Sequence, residues 1–185
     1  MKKVISIAVF GDSAEKAEGY AQYLPAFVRA HLNLFPLEEG WLLRVHASRD
    51  VMLGTRGQVL RRWGETGLIG LTVMATSAPL TKGMLWRMAP VFTADVDYVF
   101  CRDLDACPMP RDRAACDQFI ASEATVHACL DNLAHAGIMG GLSGFHAPAF
   151  RTATGFKTLE DLYAFANLND SVLEQHGTDQ NVLNR

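Results

Sequence analysis

The chain has 185 residues, 49% hydrophobic and 20% charged, with a net charge of -3, which is the balance of one soluble globular domain. That charge supplies no basic field for wrapping nucleic acid and no polybasic membrane tether, so nucleic-acid partners are not expected. A phosphate-bearing small molecule would have to be held by local devices: a metal, a helix N-terminus or a few arginines.

The N-terminal "MKKVISIAVFGDS" places two lysines before an apolar run of about seven residues with no small-residue cleavage pattern, so Val4 to Phe10 reads as a first buried strand and not a signal peptide. Pro25 suits the first turn of a helix, "PAFVRAHLNLF", that ends before Pro36. Trp41 to Ala47 reads as a second strand, "QVLRRWGE" as a short helix, and Leu68 to Ala75 as a third strand or an apolar loop. "KGMLWRMAPVF" reads as helical up to Pro90. Val96 to Phe100 has the apolar continuity of a central strand.

Beyond it, "RDRAACDQFIAS" reads as a helix after Pro110, and "ATVHACL" as a possible strand. "GIMGGLSGFHA" is too rich in glycine for a plain strand or helix. "TLEDLYAFANL" starts with Thr158 and Asp161 at capping-box spacing, and Thr178 can cap a short last helix. Cys101, Cys107, Cys116 and Cys129 form no CxxC pair, which argues against a zinc site; a chain of this length also needs no disulfide framework. No apolar stretch approaches the ~20 residues of a membrane span, so the expectation is a cytoplasmic or virion-associated protein without an integral membrane segment. Alternation of strands and helices over the first hundred residues points to an α/β domain with a mainly parallel sheet.

The chemistry concentrates in "YVFCRDLDACP", where Arg102, Asp103 and Asp105 follow an apolar strand. Ligands of such sheets bind beyond the carboxyl ends of the strands. If the backbone stays extended, Asp103 and Asp105 point to one side about 6.6 Å apart at ~3.3 Å per residue. That spacing suits two carboxylates sharing a hydrated Mg²⁺ or Mn²⁺ with phosphate oxygens. The plainer reading is that both acids cap a turn and that Arg102 makes a surface ion pair. In "IMGGLSG", Gly140 and Gly141 permit close backbone approach to a ligand or simply make a tight bend. "HGTDQNVLN" sets His176, Asp179 and Gln180 around a helix start. His31, His46, His127 and His135 read as surface or satisfied histidines, and Trp41, Trp63 and Trp86 as packing residues.

A strand into "RDLDA", then "GGLSG", then "TDQNVLN" resembles the GT-A glycosyltransferases, above all those of glycogenin type and related bacterial and viral sugar transferases. "DQNVLN" is similar to the DQ-x-x-LN run of that group, and "FGD" and "MLWRMAP" also resemble its segments. The resemblance spans about Val4 to Asn184. It implies a single GT-A-like, Rossmann-like domain over residues 1–185: a mainly parallel central sheet flanked by helices, with a small acceptor-side lobe. Residues 1–105 would form the nucleotide-binding half and 106–185 the acceptor and catalytic half.

The resemblance further implies a metal-dependent transferase moving sugar from a UDP- or GDP-sugar to a hydroxyl of a glycan, protein or small molecule, with Mn²⁺ or Mg²⁺ as cofactor. Asp103 and Asp105 would be the D-x-D pair, Asp105 the direct ligand and Asp103 nearer the ribose or a metal-bound water. Phe10, Gly11 and Asp12 would lie near the nucleotide, and Arg87 would reach the donor sugar or diphosphate. Arg102 is a further candidate contact. Gly140 and Gly141 would let the backbone pass close to the sugar, and Asp179 with Gln180 would flank the anomeric carbon. The family's further histidine ligand lies well past the DQ run; here either His176, His146 or water takes its place, or metal binding is weak, or this is a reduced domain. Two alternatives stand beside this one: a nucleotide-sugar or carbohydrate-binding module without turnover, and a metal-dependent phosphohydrolase of the haloacid dehalogenase type. The phosphohydrolase is the weaker, because its D-x-D pair follows an early strand and Gly-Thr-like residues follow the pair.

Overall fold

A computed structural model describes residues 1–11, 14–74, 80–130, 137–167 and 178–184. Strand β1 (Lys3–Val9) is buried along its whole length, as its unbroken apolar run requires of a central strand. Helices α1 (Ala14–Ala21) and α2 (Leu24–Leu34) follow, then β2 (Trp41–Ser48), α3 (Arg49–Leu53), α4 (Thr55–Glu65) and β3 (Gly70–Met74). Helix α5 (Leu80–Leu85) runs on as a 3-10 helix over Trp86–Phe92 that contains Pro90. Proline lacks the N–H an α-helical ladder needs, which suits the tighter, shorter form. Next come β4 (Tyr98–Arg102), α6 (Pro110–Ala121), β5 (Val126–Ala128), β6 (Leu142–His146), α7 (Ala147–Thr154), α8 (Leu159–Ala166) and α9 (Thr178–Leu183).

Local chemistry marks several boundaries. The Ser48 hydroxyl accepts from Val51 N at 3.4 Å and caps α3. The expected box at α8 is present: Asp161 N donates to Thr158 Oγ1 at 3.2 Å, and Thr158 N donates to Asp161 Oδ2 at 2.9 Å. Helix α8 ends on Asn167 at φ 54°, a left-handed position that asparagine tolerates.

Among the described residues the strands form one sheet in the order β3-β2-β1-β4-β6-β5. Strands β1 to β4 pair in parallel, but β6 runs antiparallel to β4 and to β5. The sheet is therefore mixed, and the expected parallel character holds for its first four strands only. The glycine-rich segment does contain a strand, β6, contrary to the reading from composition. Gly144 sits opposite Phe100 in the ladder, and a Cβ there would lie 2.8 Å from the Phe100 ring. The packing of that ring demands glycine and overrides its poor strand propensity.

Helices cover both faces. Ile5, Ile7, Val9, Trp41 and Phe100 point into one core with Phe27 of α2, Leu60 of α4 and Phe119 of α6. Val4, Ala8, Val99 and Cys101 point the other way, against Leu85, Trp86, Met88, Phe145 and Leu162. The tryptophans Trp41 and Trp86 are buried packing residues. His31 and His46 are buried at 1% and 3% exposure, and among the described residues no hydrogen bond satisfies either ring nitrogen of His46 or Nδ1 of His31; the surface-or-satisfied reading fails for both. His135 lies outside the described residues. Among the described residues, no helix is long and apolar enough to cross a membrane.

Candidate active site

The alternation of β4 decides which way its polar end faces. Arg102 shares a face with Phe100, and Asp103 follows the direction of Cys101, one residue out of phase. Arg102 is accordingly buried in the first core. It donates to the carbonyls of Cys101 at 2.8 Å and Ser143 at 3.2 Å, lies 3.6 Å from the Cys116 sulfur, and its guanidinium sits 5.9 Å from the Phe100 ring centre. It is neither a surface ion pair nor a neighbour of the acids' side chains, and its candidacy as a ligand contact is corrected on that ground.

Asp103 turns to the opposite face and meets Arg87. The buried Arg87 guanidinium donates Nη1 to Asp103 Oδ1, and Nη2 to Asp179 Oδ2 at 2.5 Å. Burial opposes the charge on Arg87, but the two carboxylates outweigh it and push its pKa up. Asp179 reaches the cluster from the first turn of α9 and is itself buried. Arginine suits this position because its planar fork serves two oxygens at once.

The glycine pair closes the cluster. A Cβ on Gly141 would fall on the Asp103 carboxylate; one on Gly140 would fall on Asp179 Oδ2 and lie 2.7 Å from Arg87 Nη2. Both glycines thus let the acids lie against the backbone, and a side chain at either would displace a carboxylate. Segments around residues 87, 103, 140 and 179, remote in sequence, converge at the carboxyl end of β4. Asp103, Asp179 and Arg87 sum to one negative charge, and Arg87 takes one oxygen of each acid. Among the described residues, no hydrogen bond engages Asp103 Oδ2 or Asp179 Oδ1.

The D-x-D pair itself departs from the expected extended geometry. The chain turns after β4, with Ala106 N donating to the Asp103 carbonyl at 3.2 Å. Leu104 is buried, and Asp105 is exposed beside the half-buried Asp103. Leu104 N donates to the Tyr20 hydroxyl at 3.0 Å, which ties the turn to α1. Tyr20 has its pKa pushed up to about 12, by burial first and then by the charges of Asp103 and Asp105. Sequence reading missed this tyrosine because it missed α1, whose "AEKAEGYA" carries little apolar signal.

Other candidates fall near or outside the cluster. Phe10 packs edge-on to Trp86 at 5.6 Å between ring centres and lies against Gly83 of α5. Gly11 needs no ligand to explain it: a Cβ there would meet the backbone of Ala17 at 2.5 Å. Gln180 is half-buried beside Asp179. His146 pairs with Tyr98 at the far end of β4 and stacks on its ring at 4.8 Å. Five residues at ~3.3 Å put it about 16 Å from Asp103, so it is no ligand to a metal held there. Asp12 and His176 lie outside the described residues.

Among the described residues no group of three or more His, Cys, Asp or Glu gathers to hold a metal. Asp103, half-buried, and Asp105, exposed, are carboxylates, the donor type that suits a hydrated Mg²⁺ or Mn²⁺ and not a metal caged by protein alone. No protein-family model matches the chain, and neither does any curated protein.

Proposed function

We propose that the chain is a metal-dependent glycosyltransferase that moves a sugar from a UDP- or GDP-sugar to a hydroxyl acceptor. The observation that carries this reading is the convergence of Arg87, Asp103, Asp179, Gly140 and Gly141 at the carboxyl end of β4. That end is where open α/β sheets hold their ligands. A structural ion pair could explain Arg87 with one acid. The two adjacent glycines let both carboxylates lie against the backbone at that end of the sheet.

Sugar transfer places negative charge on the departing diphosphate and positive character on the anomeric carbon, as in glycoside cleavage. A divalent cation bound by Asp105 and Asp103 would neutralise the departing diphosphate. Arg87 holds Asp103 and Asp179 in fixed relation and offsets one of their two charges. Asp179 keeps Oδ1 for a hydroxyl, and Gln180 next to it brings both a donor and an acceptor. Holding the acceptor hydroxyl against the anomeric carbon supplies much of the rate. A second reading, a nucleotide-sugar-binding domain without turnover, uses the same residues. It is favoured by Arg87 already satisfying one oxygen of each acid within the protein.

Thermal-shift measurements with UDP and GDP, with Mn²⁺ or with EDTA, test the common premise. At a hundredfold excess over Kd a ligand adds about 2.7 kcal/mol, which raises Tm by roughly 5–10 °C in a domain of this size. The shift is expected with Mn²⁺ only, and Asp105→Ala should abolish it. Equal shifts in EDTA, or none with either nucleotide, refute the reading. Turnover of a UDP- and GDP-sugar panel then separates enzyme from binding domain.

A further inference from the structure

On the α7–α9 side of the sheet lies a cavity of about 380 Å³ that the candidate active site does not use. Its walls include Phe145 of β6, Phe150 of α7, Phe156, Phe165 of α8, and Val182 and Leu183 of α9. Among the described residues that line it none carries a charge, and the hydroxyl of Thr154 is taken up by the backbone, donating to Phe150 O at 2.9 Å and accepting from Phe156 N at 3.2 Å. Its volume is that of a small-molecule site, and aromatic walls are the usual lining of such sites. Among the described residues the lining offers no charged or free amide group to hold a sugar or a phosphate. A single ring or a short alkyl chain suits it in both size and chemistry.

Its position ties it to the carboxylate cluster. Val182 stands three residues beyond Asp179 on α9, and side chains at that spacing share a helix face with Cβ atoms about 5–6 Å apart. The cavity wall is thus one helical turn from the acid that would meet the acceptor hydroxyl. The last residue of "DQNVLN" fastens the rim: Asn184 Oδ1 accepts from Ile138 N at 2.8 Å, and Asn184 Nδ2 donates to Ile138 O at 2.9 Å and to Gln180 O at 2.7 Å. Ile138 lines the cavity. One asparagine therefore holds the rim and the helix that carries Asp179 in a fixed relation.

We infer that this cavity receives the apolar part of the acceptor, an aryl or short alkyl group carried next to the hydroxyl that is glycosylated. The inference rests on the transferase reading and narrows its acceptor class from any hydroxyl compound to an amphiphile. Apolar burial drives the binding, at about 25 cal/mol per Å² removed from water. The hydroxyl, left outside the aromatic walls, would lie toward the turn of α9 that carries Asp179.

Calorimetry on the full chain tests this with hexyl, phenyl and methyl β-D-glucosides, which differ only in the apolar group. Hexyl and phenyl glucoside should bind at least tenfold more tightly than methyl glucoside. Thr154→Phe fills the mouth from an exposed position, and Phe165→Ser removes an exposed wall; each should erase the preference while leaving the Mn²⁺-dependent UDP or GDP thermal shift intact. Equal affinity for the three glucosides, or a preference that survives both substitutions, overturns the inference while the nucleotide shift leaves the transferase reading standing. Tight hexyl glucoside binding without any nucleotide shift overturns the acceptor assignment together with that reading. Sedimentation that shows a dimer dissociated by Thr154→Phe assigns the cavity to a second copy of the chain and also overturns it.

Discussion

Replacing Arg87 by methionine keeps the length of the side chain and removes its charge. The Arg87 side chain is 9% exposed and its partner Asp179 is 6% exposed, whereas Asp103 is 47% exposed. The two halves of the bridge therefore differ in what they lose. Asp103 regains water and contributes no more than an exposed pair does, about 0–1 kcal/mol. Asp179 is left as a buried charge without a partner, and breaking such a pair costs about 3–5 kcal/mol. The total, about 3–6 kcal/mol, is a large share of the ~5–15 kcal/mol that holds a typical domain together. At roughly 2–4 °C per kcal/mol for a chain of this size, Tm should fall by roughly 6–24 °C. Urea unfolding followed by the fluorescence of Trp41, Trp63 and Trp86 measures the loss, and Asp179→Asn with Arg87→Met/Asp179→Asn completes the cycle. The double variant should recover at least half of the loss, because it removes the stranded charge. A single variant within 1 kcal/mol of the parent, or a double variant less stable than the single one, refutes the account of a buried, mutually dependent pair.

Two further perturbations probe the core and the glycine pair. Burial lowers the pKa of His31 to about 4; burial and then the charge of Arg44 lower that of His46 to about 4. The unfolded chain binds these protons more readily. Stability is thus fully present above about pH 6.5 and falls as pH drops toward 4, by about 2 kcal/mol per histidine between pH 6.5 and 5. Urea midpoints across that range check it, and an unchanged midpoint counts against the burial of both rings. Gly141→Ala should destabilise the fold and remove the Mn²⁺-dependent nucleotide shift. Gly19→Ala, with no atom within 4 Å of the new Cβ inside α1, should stabilise by about 0.5–1 kcal/mol. Opposite signs in paired thermal melts are the expected result.

Much of the sheet was legible because buried strands advertise themselves. "VISIAVF", "WLLRVHA" and "VDYVF" are apolar and β-branched or aromatic, and they became β1, β2 and β4 within about two residues of the expected bounds. Strand β6 was not legible, because what fixes Gly144 is the Phe100 ring on a neighbouring strand and not any preference of its own. Helices α1, α3 and α7 were missed for a related reason: each is eight residues or fewer, too short for periodicity to stand out from chance. At the site, residue types and order pointed to Asp103, Gly140, Gly141 and Asp179, and the structure brings these together around Arg87. The turn that breaks the D-x-D pair was hidden, since it depends on Leu104 reaching the core and on Tyr20 from a helix that went unseen. The direction of Arg102 was present in the alternation of β4, one residue out of step with Asp103.

The reversed course of β6 has a consequence for how the site could be lost. Because β6 runs against β4, its first residue, Leu142, lies beside the last residue of β4, Arg102. Gly141 is thereby delivered to Asp103 by the hydrogen-bond ladder itself. A slip of two residues would keep every side chain on its proper face, but it would set Leu142 or His146 in place of Gly144 opposite the Phe100 ring. It would also carry the glycines roughly 6.6 Å along the strand, out of reach of the acids. Insertions or deletions just ahead of Leu142 would therefore disturb the carboxylate cluster and the Phe100 packing together, so loss of the cluster would show as a lowered melting temperature.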